Sequence, residues 1–419
     1  MGRCPVVEER RLSTGARLPR IGALVRRIDA GTPRERDRSL DALRAFAIAG
    51  VVLGHWLVTA LTDGSGVLRP VSPLAEMPWL APVSWVFQTL AVFFFVGGRV
   101  AADGYLRSRS RGVPYRSWLV QRLSRLLRPV LALLGLWAVI VAILSVGGVG
   151  WDTVWPLLRL VLSPLWFLVV FAALTAATPW VARLHPGWPA AVVFVVDVVR
   201  FGLGGPGWLG WVNVAAGWLV PYCLGATWST GRLARRRDGV LMLVGGAVAT
   251  FVLVVWAGYP SSMVGVPGAP VSNLNPPTLA AVTFGLAQCG LALLVRDPLA
   301  RALRRPLVWA AVALVNLSAM TVFLWHQTAM MAVTALGLLV DTDLPGLHRL
   351  PSSADWIAAR LLWLPVFALA LAVCQAAFHI HERGPARPDP GKRERGLRPA
   401  GFRAPVRAIP AVGEEASHA

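Results

Sequence analysis

Three residues whose types can do chemistry lie close together near the start of the chain: Asp41, Arg44 and His55. At about 100° per residue, the step from Arg44 to His55 is three helical turns plus roughly 20°, so on a helix both side chains leave the same face. Asp41, one turn before Arg44, joins that face. One helix would then carry a carboxylate, a guanidinium and an imidazole along a single stripe, with roughly 16 Å of rise between Arg44 and His55. An imidazole exchanges a proton near neutral pH, which is the chemistry that turns an alcohol into a nucleophile. A guanidinium orients an anion or offsets developing negative charge.

The neighbours of His55 are apolar (Val51, Val52, Leu53, Trp56). An ionisable group inside an apolar run costs several kcal/mol unless it faces a bundle interior, a partner or water, which makes each one a functional candidate. Two readings stay open for each group. Asp41 and Arg44 either line a cleft or pair with each other at the interface. His55 is either a base or a buried imidazole bonded to a neighbouring helix.

Further along, Arg122, Arg125 and Arg128 recur every third residue, so on a helix they form one cationic ridge. Such a ridge grips the phosphates of a nucleotide-like donor or, equally, lipid headgroups. The run Phe93-Phe94-Phe95-Val96-Gly97-Gly98-Arg99 ends a second apolar stretch. Its glycine pair admits a second backbone or a ligand, and Arg99 is a candidate substrate contact. In Leu165-Trp166-Phe167-Leu168 and Leu324-Trp325-His326-Gln327, an aromatic residue and a second histidine sit within apolar runs. Trp166 and His326 are candidates for lining a substrate passage; an interfacial aromatic anchor would look similar.

The elements that must position these residues are membrane helices. Hydrophobic residues make up 56% of the 419-residue chain and charged residues 15%, with a mean hydropathy of +0.59. The apolar residues fall into runs of roughly twenty, the length that crosses about 30 Å of hydrocarbon. The fold class read from this is all-α, a polytopic membrane bundle of about ten transmembrane helices over residues 40–60, 82–102, 129–149, 163–183, 188–203, 208–228, 239–258, 277–296, 314–340 and 356–378. The fifth is short and carries Asp197 and Arg200, and the ninth lies in an apolar stretch from Leu307 to Val340 that must break or tilt.

The net charge of +20 would suggest nucleic acid in a soluble protein. Here no interleaved aromatic and basic motif supports that, and the arginines alternate between loops. Residues 26–38, 107–128, 232–237 and 296–305 are arginine-rich, whereas residues 61–81, 204–207, 259–276 and 341–355 hold only Arg69 and Arg349. The positive-inside rule therefore predicts a multi-pass protein with both termini cytoplasmic and the bilayer as a partner. Residues 1–37 and 384–419 read as disordered tails, and the polar start argues against a cleavable signal peptide. Cys4, Cys223, Cys289 and Cys374 have neither disulfide nor metal-ligand spacing. The stretch Gly202 to Gly207 contains Pro206 and reads as an external turn.

In this order, these residues resemble the acyltransferase-3 family of bacterial multi-pass membrane proteins, many of which O-acylate cell-surface sugars. Leu40-Asp41-Ala42-Leu43-Arg44 followed by His55 is similar to the family's opening leucine-aspartate-x-leucine-arginine helix and its histidine. Phe93 to Gly98, Arg122 to Arg125, Leu165 to Leu168 and Phe323 to His326 resemble its later motifs, so the likeness spans residues 40 to 326. Gly97 stands where the family usually has serine, and Met320 and Phe323 stand where it has tyrosine, so no role for those hydroxyls carries over.

The resemblance implies a transmembrane acyltransferase domain over residues 38–383 and no permanently bound cofactor. Acyl-CoA, often acetyl-CoA, would be the donor, with its phosphates on Arg122, Arg125 and Arg128. The acceptor would be a hydroxyl of a saccharide, glycolipid or secreted metabolite at the plasma membrane. His55 would be the general base and Arg44, held by Asp41, would orient the donor or offset charge. A secondary transporter or flippase also needs intramembrane Asp, Arg and His, but no second copy of the stripe marks the matching half that many transporters show.

Overall fold

The computed structural model describes residues 18–64, 67–233 and 235–378. Of the segments read as tails, residues 384–419 and 1–17 lie outside that range. Within it, however, Leu18–Ala30 forms helix α1 instead of a tail, and Trp309 Nε1 donates to the hydroxyl of Thr32 just beyond it at 2.9 Å.

Helix α2 (Arg38–Val58) starts where Asp37 caps it, the carboxylate accepting from the Ser39 amide at 3.1 Å. Arg296 reaches the same carboxylate at 3.2 Å. Burial acts to raise the Asp37 carboxyl, but the Ser39 and Arg296 contacts outweigh it and hold the group below its ordinary value. After α2 the chain makes a two-stranded antiparallel hairpin, β1 (Ala60–Gly64) with β2 (Val67–Val71), in the register Ala60 opposite Val71. Two single turns, α3 (Pro73–Glu76) and α4 (Ser84–Phe87), lead to α5 (Leu90–Ser110) and the long α6 (Tyr115–Val146).

The next crossing is broken at Ser163 and Pro164 into α7 (Trp151–Leu162) and α8 (Leu165–Ala176). Tyr115 donates its hydroxyl to the carbonyl of Ala176, so α8 ends where α6 begins. A short turn, α9 (Thr178–Val181), precedes α10 (Gly187–Asp197), which runs on into a π-helical turn, Val198–Gly202. The Asp197 carboxylate then caps α13 (Leu279–Ala302), accepting from the Leu279 amide at 2.7 Å and from Tyr259 and Asn213. Between them lie α11 (Val212–Ser229) and α12 (Arg236–Val255), and after α13 come α14 (Pro306–Leu317), α15 (Ala319–Leu338) and α16 (Ala354–Phe378).

Nine helices among the described residues are long and apolar enough to cross a membrane. The fifth span expected from sequence, 188–203, is the exception, because α10 has only 11 residues. It runs on into the π-turn and ends beside the N-terminal end of α13, where Asp197 bonds the Leu279 amide. The apolar stretch from Leu307 to Val340 does break, at Ser318 between α14 and α15. Ser318 returns its hydroxyl to the Leu314 carbonyl at 2.9 Å, which competes with continuation of the helix.

Some helices are central and others face lipid. Two thirds (67%) of the most apolar window of α11 and of α15 is buried inside the protein, against 17% for α6 and α16. The inner helices approach closely because small residues line their seams. A Cβ on Gly98 would run into the Tyr222 carbonyl, and one on Gly225 into that of Phe95. The glycine pair of α5 thus admits a backbone, with Gly97 facing the Phe171 ring.

Candidate active site

Helix α2 presents its polar stripe to the α14–α15 segment. Arg44 donates through Nε to the side-chain oxygen of Asn316 at 2.8 Å and through a second nitrogen to the Asn316 carbonyl at 3.3 Å. Asn316 sends its own amide protons to the carbonyls of Asp41 (2.7 Å) and Val312 (3.0 Å), which locks its orientation. Higher on the same helix, Nδ1 of His55 lies 3.0 Å from the side-chain amide of Gln327. Both contacts span 272 residues of chain, so the two segments run parallel in register, and Arg44 and His55 do share a face.

Gln327 brings its neighbour with it. The imidazoles of His55 and His326 sit with ring centres 5.1 Å apart and planes at 44°. His326 is fully buried, and its Nδ1 is 2.6 Å from the Phe323 carbonyl. A carbonyl only accepts, so this nitrogen carries the proton and the Nε2 lone pair is free. That Nε2 is buried with no hydrogen-bond partner, as is the side-chain oxygen of Gln327. Buried polar atoms are almost always satisfied, so two orphans beside a half-buried imidazole mark a place where a polar ligand or water completes the set.

A family model described as an acyltransferase domain, acyltransferase-3, matches residues 37–379, most of the chain. The chain belongs to the acyltransferase-3 family. No curated protein and no solved structure matches it. The protein is therefore a membrane acyltransferase, which sets aside the transporter reading.

In this acyltransferase Asp41 does not hold Arg44, contrary to the sequence expectation. Its carboxylate pairs with Arg36, whose Nε and a second nitrogen lie at 2.6 and 3.1 Å. Asp41 is in the first turn of α2, where the loop from Thr32 to Asp37 folds back over it, and Arg36 reaches it first. Asn316 takes the supporting role instead.

The three-arginine ridge on α6 divides. Arg122 turns inward, donates to the Val100 carbonyl at 3.3 Å and lies over the Trp118 ring at 5.9 Å. Its guanidinium occupies the space over Gly104 that a side chain would fill. The charges of Arg125, Arg107 and Arg44 each oppose that of Arg122. Arg125 and Arg128 are exposed.

Arg99 bonds the Trp228 carbonyl at 2.6 Å and sits over its ring at 4.4 Å. It faces a different cavity, away from the histidines. Trp166 is half-buried against Phe167 and Trp218. Phe167 meets Phe323, which meets His326, so Trp166 is separated from the imidazoles by a layer of rings.

Three supporting residues escaped the sequence reading. Asn316 and Gln327 carry no charge and so raise no alarm in an apolar run. Arg360 should have, since it is an arginine inside the last span. It is buried and donates to the carbonyls of Trp56 (2.7 Å), Thr59 (2.5 Å) and Gly346 (2.9 Å). These include the last carbonyls of α2, where a cation suits the negative end of the helix dipole. Among the described residues Arg360 has no carboxylate partner. Trp56 in turn donates Nε1 to the His326 carbonyl at 3.0 Å, so Arg360 and Trp56 fix the end of α2 on which His55 rides.

Proposed function

We propose that this acyltransferase moves an acyl group, acetyl in the simplest case, from acyl-CoA to a hydroxyl of a cell-envelope saccharide, glycolipid or secreted metabolite. His55 is the general base. The observation that carries this is the His55–His326 pair, with the unpartnered Nε2 of His326 within it, standing three turns above Arg44 on a shared face.

The reaction needs one proton removed from a poor nucleophile. His55 takes it from the acceptor hydroxyl through Nε2, the oxygen forms a bond to the thioester carbonyl carbon, and the carbon–sulfur bond breaks. The proton then passes from His55 to the departing thiolate. For this Nε2 must hold a lone pair, so Nδ1 must carry a proton and donate it. Gln327 accepts that proton when its amide presents the oxygen, an arrangement reached by a half-turn about its terminal bond. His326, with a free lone pair at Nε2, would receive a hydrogen bond from a second, neighbouring hydroxyl of the acceptor.

Arg44 and Arg122 supply positive charge at the arginine-rich end of the bundle. We assign that end to the cytoplasm because it gathers the basic loops, and the donor's phosphates would meet these guanidinium groups there. The roughly 16 Å rise from Arg44 to His55 suits a donor lying lengthwise along α2.

The test compares acyl groups released by mild alkali from envelopes and extracts of cells lacking the protein, cells expressing it, and cells expressing His55→Ala at equal abundance. The proposal expects an ester-linked acyl group present only with the unaltered chain. Equal release from the His55→Ala cells would contradict it.

A further inference from the structure

A cavity of about 580 Å³ opens at the arginine-rich end of the bundle, between the end of α11, the start of α12 and the end of α13. Arg99, Arg235, Arg236, Arg296 and Arg301 line it around Trp228, and the only acidic residue in the lining is Asp297. The histidine pair and the arginines of α6 form no part of this lining.

We propose that this cavity binds a phosphate-bearing anion, either the headgroup of an anionic phospholipid or a free phosphate or diphosphate. Two guanidinium groups already crowd one ring: Arg99 lies 4.4 Å and Arg296 5.6 Å from the centre of the Trp228 ring, which stacks on Phe95 at 5.0 Å. Their charges oppose each other, and Asp103 and Asp37 compensate them at 3.6 and 3.2 Å. Arg235, Arg236 and Arg301 add three further charges, with no ion pair for any of them among the described residues.

Two donors in the lining are also unused. Arg99 Nε, though near Asp103, makes no hydrogen bond, and the buried hydroxyl of Ser229 has none either. Clustered cations with idle donors around a concave wall are what a multiply charged oxyanion satisfies, and arginine's planar fork matches phosphate oxygens two at a time. Leu233, Leu293 and Leu294 give the cavity apolar walls as well.

The experiment reads binding, so it does not depend on the proposed acyl donor, acceptor or base. The full-length protein is purified into phosphatidylcholine nanodiscs and titrated with inorganic phosphate and pyrophosphate, following the thermal unfolding midpoint. In a second arm, retention of phosphatidylglycerol against phosphatidylcholine is measured by native mass spectrometry. The same is done for Arg235→Gln/Arg236→Gln/Arg301→Gln and for a charge-matched control, Arg109→Gln/Arg111→Gln/Arg116→Gln, whose arginines are exposed elsewhere in the chain.

The expected result is saturable binding in at least one arm, about tenfold weaker in the cavity variant, as three exposed charge contacts imply, and unchanged in the control. The arm that responds identifies the source of the phosphate. Arg301→Gln alone, whose guanidinium makes no hydrogen bond among the described residues, gives a smaller loss in the same direction and serves if the triple variant does not fold. Absence of binding in both arms, or equal loss in the cavity variant and the control, would overturn the proposal.

Discussion

The side-chain amide of Gln327 stands 3.0 Å from Nδ1 of His55, and the offset between the two residues is the one that also pairs Asn316 with Arg44. A single register between α2 and the α14–α15 segment therefore positions the imidazole and the guanidinium together. If Gln327 fixes the protonated nitrogen of His55, Gln327→Leu frees the ring to take the wrong tautomer. The expected loss in kcat is about tenfold to a hundredfold, on the order of other supporting hydrogen bonds to functional histidines, with little change in donor KM. Steady-state kinetics on isolated membranes would show it, and an unaltered kcat would remove Gln327 from the mechanism.

Asn316 makes the opposite kinetic prediction. Asn316→Ala deprives the Arg44 side chain of its 2.8 Å contact and removes the amide that ties the two helices together. Losing one partner of a partly buried charged hydrogen bond costs about 1–3 kcal/mol, so donor KM rises roughly tenfold while the pH dependence of kcat stays as it was. A change confined to kcat would place Arg44 at the reacting carbonyl instead of on the donor's phosphates.

The bundle itself was largely legible in the sequence, because apolar runs of about twenty residues follow from bilayer thickness. The face shared by Arg44 and His55 was legible too, since helical geometry fixes it. The partners of those residues were not. Asn316 and Gln327 are neutral and lie far along the chain, and nothing local shows which helix α2 will meet. Asp41 misled for the same reason: its spacing permits a contact with Arg44, but the fold-back of residues 32–37 brings Arg36 closer. The shortness of α10 was visible in Asp197 and Arg200, whereas its use of Asp197 to cap α13 depends on tertiary contact.

Arg360 predicts a stability effect. Its three carbonyl partners remain buried if the guanidinium is removed, so Arg360→Met should lower stability by about 2–4 kcal/mol. The unfolding midpoint in detergent would fall, and activity would fall with it because Trp56 and His55 share the end of α2 that Arg360 holds. A variant as stable as the parent would show that water satisfies those carbonyls.

Asp37 predicts a dependence on pH. Its carboxyl is held below the ordinary value in the folded protein, so its contribution is complete above the unfolded value of about 3.9 and is lost as pH falls through the lower folded value. Asp37→Ala should cost about 1 kcal/mol at pH 7. The gap between the variant and the parent should close on acidification below that range, as unfolding midpoints measured along a pH series would reveal.

The role of His55 is tested most directly by transfer of labelled acetyl from acetyl-CoA to alkali-labile product in isolated membranes, comparing the parent chain with His55→Ala and His326→Ala at matched abundance. The account predicts a loss of about 10²–10⁴-fold for His55→Ala, the range for a general base, and a smaller loss for His326→Ala. Transfer by His55→Ala at the parent's rate would contradict it.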